Sequence, residues 1–244
     1  MAVSKATRLY SMTTHPRKVL VVAAHPDDEI LGCGATIASH IEHGDKVSVL
    51  IMAEGATSRL SKRNRTEVKD ELSELHQAAQ AANDILGVTR LQLLDFPDNR
   101  MDSVDLLDVI KVIEAEINAW QPDILYTHHA GDVNIDHRVI HDAVIAATRP
   151  QPSSNIQTLL FFEIASSTEW RPAASAQPFS PNWFVDITNH WEKKQVALEA
   201  YKSEMRPYPH SRSIEALESL AKWRGSSVGY AYAEAFILGR HIVS

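Results

Sequence analysis

The sequence predicts an α/β fold: a doubly wound, mostly parallel, Rossmann-like sheet with helices on both faces and a C-terminal elaboration. Three observations carry this. Apolar runs of strand length alternate with segments of helical periodicity between residues 18 and 148. Gly, Pro and Asp punctuate the joints between them. Clusters of His and Asp follow two of the strands, at the ends where open α/β sheets hold their ligands.

Residues 18–24 form the first strand, an apolar run suited to burial on both faces. Residues 31–43 are helical and stop at Gly44-Asp45. Residues 46–52 are the second strand. Residues 61–86 carry apolar and alanine positions at helical spacing, with Gly87 as the C-cap. Residues 90–94 are a short strand, followed by a loop over 96–100. Residues 104–120 form an amphipathic helix ended by Gln121-Pro122, and 123–127 are the fourth strand. A helix over 137–148 ends near Pro150. Residues 158–163 and 183–185 are later, more irregular strands, and helices over 188–201 and 213–224 follow. The stretches 149–155 and 171–181, rich in Pro, Ser and Ala, are loops. Residues 1–16 read as a flexible extension in which Met12 is an alternative start, and 17–244 as a single domain.

The composition excludes several classes. A formal net charge of -7 argues against binding nucleic acid by broad phosphate neutralisation. Cys33 is the only cysteine, which rules out an intrachain disulfide and a thiolate cluster. No apolar run approaches a membrane span, and the N-terminal residues lack a signal-peptide h-region. Together these point to a cytoplasmic protein.

The densest chemistry is His25-Pro26-Asp27-Asp28-Glu29, just after the first strand. Three carboxylates crowded at a strand end need a cation or water to offset their repulsion. The fourth strand ends in a second cluster, from His128-His129 through Gly131-Asp132 and Asn134-Ile135-Asp136-His137 to His141. The first and fourth strands of a doubly wound sheet lie side by side at the switch point, so the clusters meet. His25, Asp28 and His137 then offer two nitrogens and one oxygen, the three-ligand pattern of a catalytic zinc site. Asp27 and Asp28, as neighbours, face different ways, so one ligates and the other faces the bound water.

The run His25-Pro26-Asp27-Asp28-Glu29, with the later Asp136-His137 at a helix start, resembles the PIG-L/LmbE-like family of zinc-dependent N-acetylglucosaminyl deacetylases. The resemblance covers most of the chain in order and spacing. It implies one Zn2+ per chain on His25, Asp28 and His137, with Asp27 as general base. It implies as substrate a small N-acetylated amino sugar or conjugate, hydrolysed to free amine and acetate. Many members read His-Pro-Asp-His where this chain has Asn134-Ile135-Asp136-His137. Asn134 can donate a hydrogen bond to an oxyanion but cannot supply a proton near neutral pH. His129 or His210 is then the candidate acid. Asp136 is expected to orient a metal-binding imidazole, or to cap the helix it begins.

Arg59, Asp95 and Glu234 are candidate substrate contacts, each weighed against an ordinary surface charge. His141 is a minor candidate ligand, and His128 is expected to make an ordinary strand-end hydrogen bond. Gly32-x-Gly34 lacks the third glycine of a dinucleotide motif and is assigned to helix packing. Two other functions compete: a non-catalytic sugar- or nucleotide-binding module, and a non-haem iron oxygenase, which usually needs a β-barrel. Homo-oligomer formation is left open, as is the carrier to which the sugar is joined.

Overall fold

The computed structural model describes residues 15–152 and 154–243; most of the expected N-terminal extension, Met12 included, lies outside them. A seven-stranded sheet has the order β3-β2-β1-β4-β5-β7-β6. The strands are β1 (Lys18–Ala23), β2 (Lys46–Ala53), β3 (Arg90–Phe96), β4 (Ile124–His128), β5 (Thr158–Phe162), β6 (Trp183–Asp186) and β7 (Ala233–His241). The first five are parallel to one another, and β7 runs antiparallel between β5 and β6. The chain therefore reverses direction across the sheet between β1 and β4, as a doubly wound sheet requires.

Alternation along β1 sorts the core into two layers. Val19, Val21 and Ala23 face one layer with α1 (Asp28–Glu42), α2 (Lys69–Leu86), α5 (Trp191–Ala200) and α6 (Ile214–Ser226). Leu20 and Val22 face the other, with α3 (Leu106–Trp120) and α4 (Ile135–Ala147). Every one of these β1 side chains is fully buried, which explains why the strand reads as a continuous apolar run. The open sheet also removes the β-barrel on which the oxygenase alternative depended. No helix among the described residues is long and apolar enough to cross a membrane.

Three of the departures from the sequence reading have a clear local cause. The helix expected over 61–86 begins only at Lys69. Glu54, buried at the end of β2, draws Arg63 and Arg65 into ion pairs of 2.8 and 2.9 Å, and Asn64 Oδ1 accepts from the Thr66 N–H. These local bonds compete with helical ones. The helix after β4 starts two residues early, at Ile135, because Asn134 rather than Asp136 is its N-cap. The longest strand, β7, went unread, since Ala233-Glu234-Ala235 carries helix formers and Gly239 interrupts the alternation.

Helix α1 is broken at Cys33, where φ is −150° and ψ 23°. The break frees a carbonyl on one side and amides on the other, as at any pair of helix ends. Lys194 donates to the Leu31 carbonyl at 2.8 Å. Glu234 accepts from the N–H groups of Ala35 and Thr36 at 3.2 and 2.7 Å, and from Lys194 at 2.6 Å. A buried ion pair thus completes both half-helices. Gly32 lets the first half pack against β5, since a Cβ there would meet the Phe162 ring at 2.6 Å.

Candidate functional site

The parallel pairing of β1 with β4 aligns Val21 with Tyr126, so the two strands end together. Just beyond, the Ala24 N–H donates to His128 Nε2 at 2.8 Å. The turn after β1 thereby meets the first turn of α4. Asp28 Oδ2 lies 3.2 Å from His25 Nδ1 and 3.2 Å from His137 Nε2. Donor atoms of His25, Asp28 and His137 all fall within 4.8 Å of one another.

The other nitrogen of each imidazole faces a second carboxylate. His25 Nε2 is 3.0 Å from Asp136 and 3.3 Å from Asp98, and His137 Nδ1 is 3.2 Å from Asp132. These carboxylates are fixed in turn. Asp136 accepts from the N–H groups of Asn99 and Met101 at 2.6 and 2.9 Å. Asp132 accepts from the hydroxyls of Ser167 and Thr168. His137 also stacks on His128, with centroids 3.9 Å apart. Such backing fixes ring orientation and strengthens an imidazole as a ligand.

Burial opposes a charge on His137, but the carboxylates of Asp28 and Asp132 outweigh it and raise its pKa to about 9. His25 is raised too: burial works against it, and hydrogen bonds to Asp136 and Asp28 prevail. Asp28 is held well below the carboxylate range; burial opposes this and the charge of His137 overcomes it. The donor set suits a divalent cation. Asp28 Oδ1 and both ring nitrogens of His137 are buried without a well-aligned hydrogen bond, and Asp28 Oδ1 with the Nε2 that faces Asp28 is the unmet capacity that a metal would fill.

Asp27 stands apart from this set. It occupies the N-cap position of α1, yet its side chain makes no capping bond. Its φ of 116° puts a non-glycine residue in a left-handed conformation that costs about 1–3 kcal/mol. Glu29 Oε2 accepts its N–H at 3.1 Å, and the Glu29 carboxylate is itself held by Tyr201 and Asn83 at 2.7 and 2.9 Å. Arg212 Nη1 donates to Asp27 Oδ2 at 2.7 Å. Burial raises the Asp27 pKa well above its usual value; Arg212 pulls the other way and the nearby Asp28 adds to the rise.

A family model for PIG-L, described as GlcNAc-PI de-N-acetylase, matches residues 20–148, just over half of the chain. The chain belongs to the PIG-L family. It is 28% identical over 201 residues to an uncharacterized deacetylase, YaiS, of Escherichia coli, covering 80% of this chain and 96% of that one. It is also 28% identical over 207 residues to a 4-oxalmesaconate hydratase of Pseudomonas putida, covering 78% of this chain and 74% of that one. Among solved structures, the N,N'-diacetylchitobiose deacetylase of Pyrococcus horikoshii shares the fold with a TM-score of 0.71 at 20% identity, over 91% of this chain and 83% of that one.

Within this PIG-L fold the remaining sequence-predicted residues separate. Asn134 serves as a helix cap. Its Oδ1 caps α4 by accepting the Asp136 N–H at 2.8 Å, and its Nδ2 donates to Asn99 at 2.8 Å. His129 Nε2 is tied to the Gln177 carbonyl at 2.9 Å. His210 accepts the Arg212 N–H on Nδ1 at 3.0 Å, so its neutral ring carries the proton on Nε2. Arg59 lies near the Asp27 side of the cluster, bridging Glu71 and Glu204, and Glu204 is 3.9 Å from Arg212.

Asp95 pairs with Arg65 at 2.6 Å on an exposed rim and does not join the cluster. Glu234, expected to contact substrate, is instead buried in the repair of α1. His141 bonds the His128 carbonyl at 2.9 Å, so His137 alone of that helical pair faces Asp28. The sequence reading gave no role to Asp98, Asp132 or Arg212. Asp98 and Asp132 follow β3 and β4 at the same sheet edge as His25, a signal that was present. Arg212 has no local signal, being 185 residues from Asp27.

Proposed function

We propose that this protein is a zinc-dependent hydrolase of the N-acetyl group of a GlcNAc-type amino sugar. The observation that carries the reading is the division of labour between neighbours: Asp28 sits among the two imidazoles, while Asp27 is turned out of that set toward Arg212. His25, Asp28 and His137 would hold the metal. Bound zinc supplies Lewis acidity, which polarises a carbonyl and makes a water easier to deprotonate.

Asp27 takes one proton from the attacking water, and its raised pKa suits a base that must also give the proton back. The water oxygen bonds to the acetyl carbon, the C–N bond breaks, and the proton held by Asp27 passes to the leaving nitrogen. Acetic acid and a free amine result, and the second water proton, left on the new carboxyl, is lost as the acid ionises to acetate. Arg212 keeps the Asp27 carboxylate aimed during both transfers. His210 can assist the second transfer through Nε2, whereas His129 Nε2 is bonded to the Gln177 carbonyl and Asn134 Oδ1 caps a helix.

The test is acetate release from N-acetylglucosamine and its glycosides by zinc-loaded protein, with and without chelator. Chelator-sensitive acetate with a matching free amine supports the reading. The hydratase relative sets the contrary result: a product that gains water and keeps every carbon would replace deacetylation with hydration.

A further inference from the structure

Two loops wall the Asp27 side of the cluster. The loop after β5 contributes Ser166, whose Oγ accepts from Arg212 Nε at 2.6 Å, and Ser167 and Thr168, which hold Asp132. The loop between α5 and α6 contributes His210 and Arg212. Each loop also carries a large aromatic side chain turned mostly to solvent: Trp170 is 55% exposed and Tyr208 65%. The Trp170 ring meets the His210 ring edge-on, with centroids 5.7 Å apart and planes at 77°. The chemistry uses neither aromatic. Exposed apolar groups gathered beside a polar cleft mark ligand-binding surface, and an indole left in water gains most from a flat partner.

We propose that Trp170 is a stacking platform for the carrier of the amino sugar, and that this carrier presents a ring with a flat apolar face. The inference rests on the deacetylase reading. The path from the base to the platform runs from Asp27 to the Arg212 side chain, back along two residues to His210, and across one ring contact to Trp170. On this proposal a sugar whose amide lies at Asp27 spans that interval, and the group that meets the indole is the next one along the glycosidic bond. A flexible or highly charged carrier without a ring face gains nothing from this surface. A second pyranose, through the C–H groups of one face, and an aromatic aglycone share the required chemistry.

The experiment compares kcat/KM of the zinc-loaded protein for N-acetylglucosamine, N,N'-diacetylchitobiose and a phenyl N-acetylglucosaminide. We expect at least one ring-bearing substrate to exceed the bare sugar by about tenfold, the scale of one aromatic stacking contact. Trp170→Ala should bring that ratio close to one, and Trp170→Phe should keep part of it. Trp223→Ala, on α6 and 68% exposed, should leave the ratio unchanged. Preference for the disaccharide or for the phenyl glycoside identifies the ring. Acetate release with no ring preference, or a preference that survives Trp170→Ala, overturns the platform alone. No acetate from any of the three overturns the deacetylase reading and the platform with it. Titration of intrinsic fluorescence with chitobiose gives a second readout: wild-type quenching absent from Trp170→Ala supports the platform, and equal quenching in both refutes it.

Discussion

Arg212 reaches back across 185 residues to donate a 2.7 Å hydrogen bond to Asp27, while Asp28, the very next residue, turns the opposite way to His25 and His137. One peptide bond therefore separates a carboxylate neutralised by a guanidinium from one surrounded by imidazoles. Removing Asp27 should separate the two roles. Asp27→Asn keeps the shape and tolerates the left-handed backbone. We expect full zinc content and a fall in kcat of about 10²–10⁴-fold, the usual worth of a general base. Metal analysis beside steady-state kinetics checks it, and near wild-type turnover would reassign the base.

Arg212 holds the Asp27 pKa down against burial. Arg212→Met should let it rise further. The base form then appears only at higher pH, so the acidic limb of the kcat/KM profile should move upward. The variant should also lose about tenfold or more in kcat, as expected when a reacting group loses its aim. A pH profile that stays in place would mean that Arg212 serves only to anchor its loop.

Asn134 caps α4, so its loss should be felt first in stability. Asn134→Ala should lower unfolding free energy by about 1 kcal/mol, with a smaller effect on turnover than Asp27→Asn. Thermal melts and acetate release on the same samples separate the two effects. A loss of turnover equal to that of Asp27→Asn, with an unchanged melt, would return Asn134 to the chemistry.

Burial raises the Glu29 pKa to about 7, against an unfolded value near 4.5, and its hydrogen bonds offset this only in part. Between these values the folded protein binds a proton that the unfolded chain does not. This contribution to stability is complete below pH ~4.5 and is lost as pH rises through ~7. Its full span is about 3 kcal/mol, from 1.36 kcal/mol per pH unit. Glu29→Gln, which cannot ionise, should therefore gain on wild type across that window. Denaturant unfolding at pH 5 and pH 8 measures the difference, and parallel curves would count against it.

His25 and His137 both favour their protonated forms when no metal is bound. Zinc must displace those protons. Binding near pH 7 should release about two protons, and affinity should fall as pH is lowered. Calorimetry in two buffers of different ionisation enthalpy counts them. Zinc binding without proton release would place the ion elsewhere.

Much of this is legible in the sequence, and what is not has physical reasons. The switch point follows from the apolar run of β1 and the alternation up to β4, and it brings His25, Asp28 and His137 together as expected. Asp136 does back His25, and His128 does make an ordinary strand-end bond. Local patterns fail where a partner is distant. Nothing near Glu234 says that it serves a helix break some 200 positions earlier, nor does anything near Arg212 point to Asp27. Asn134 shows the opposite case: its local bonding makes it a helix cap, a role that its place in the motif does not reveal.

The order of these partners along the chain bears on how the protein is born. A nascent chain leaving the ribosome after residue 148 already carries His25, Asp28 and His137, on the strands that set them side by side. Tyr201, which steadies Glu29 behind Asp27, and Arg212, which aims its carboxylate, have yet to emerge. Glu234, needed to complete the first helix, comes later still. The three proposed metal donors can thus be in place before the residues that steady Asp27, and the last strand to be made finishes the first helix.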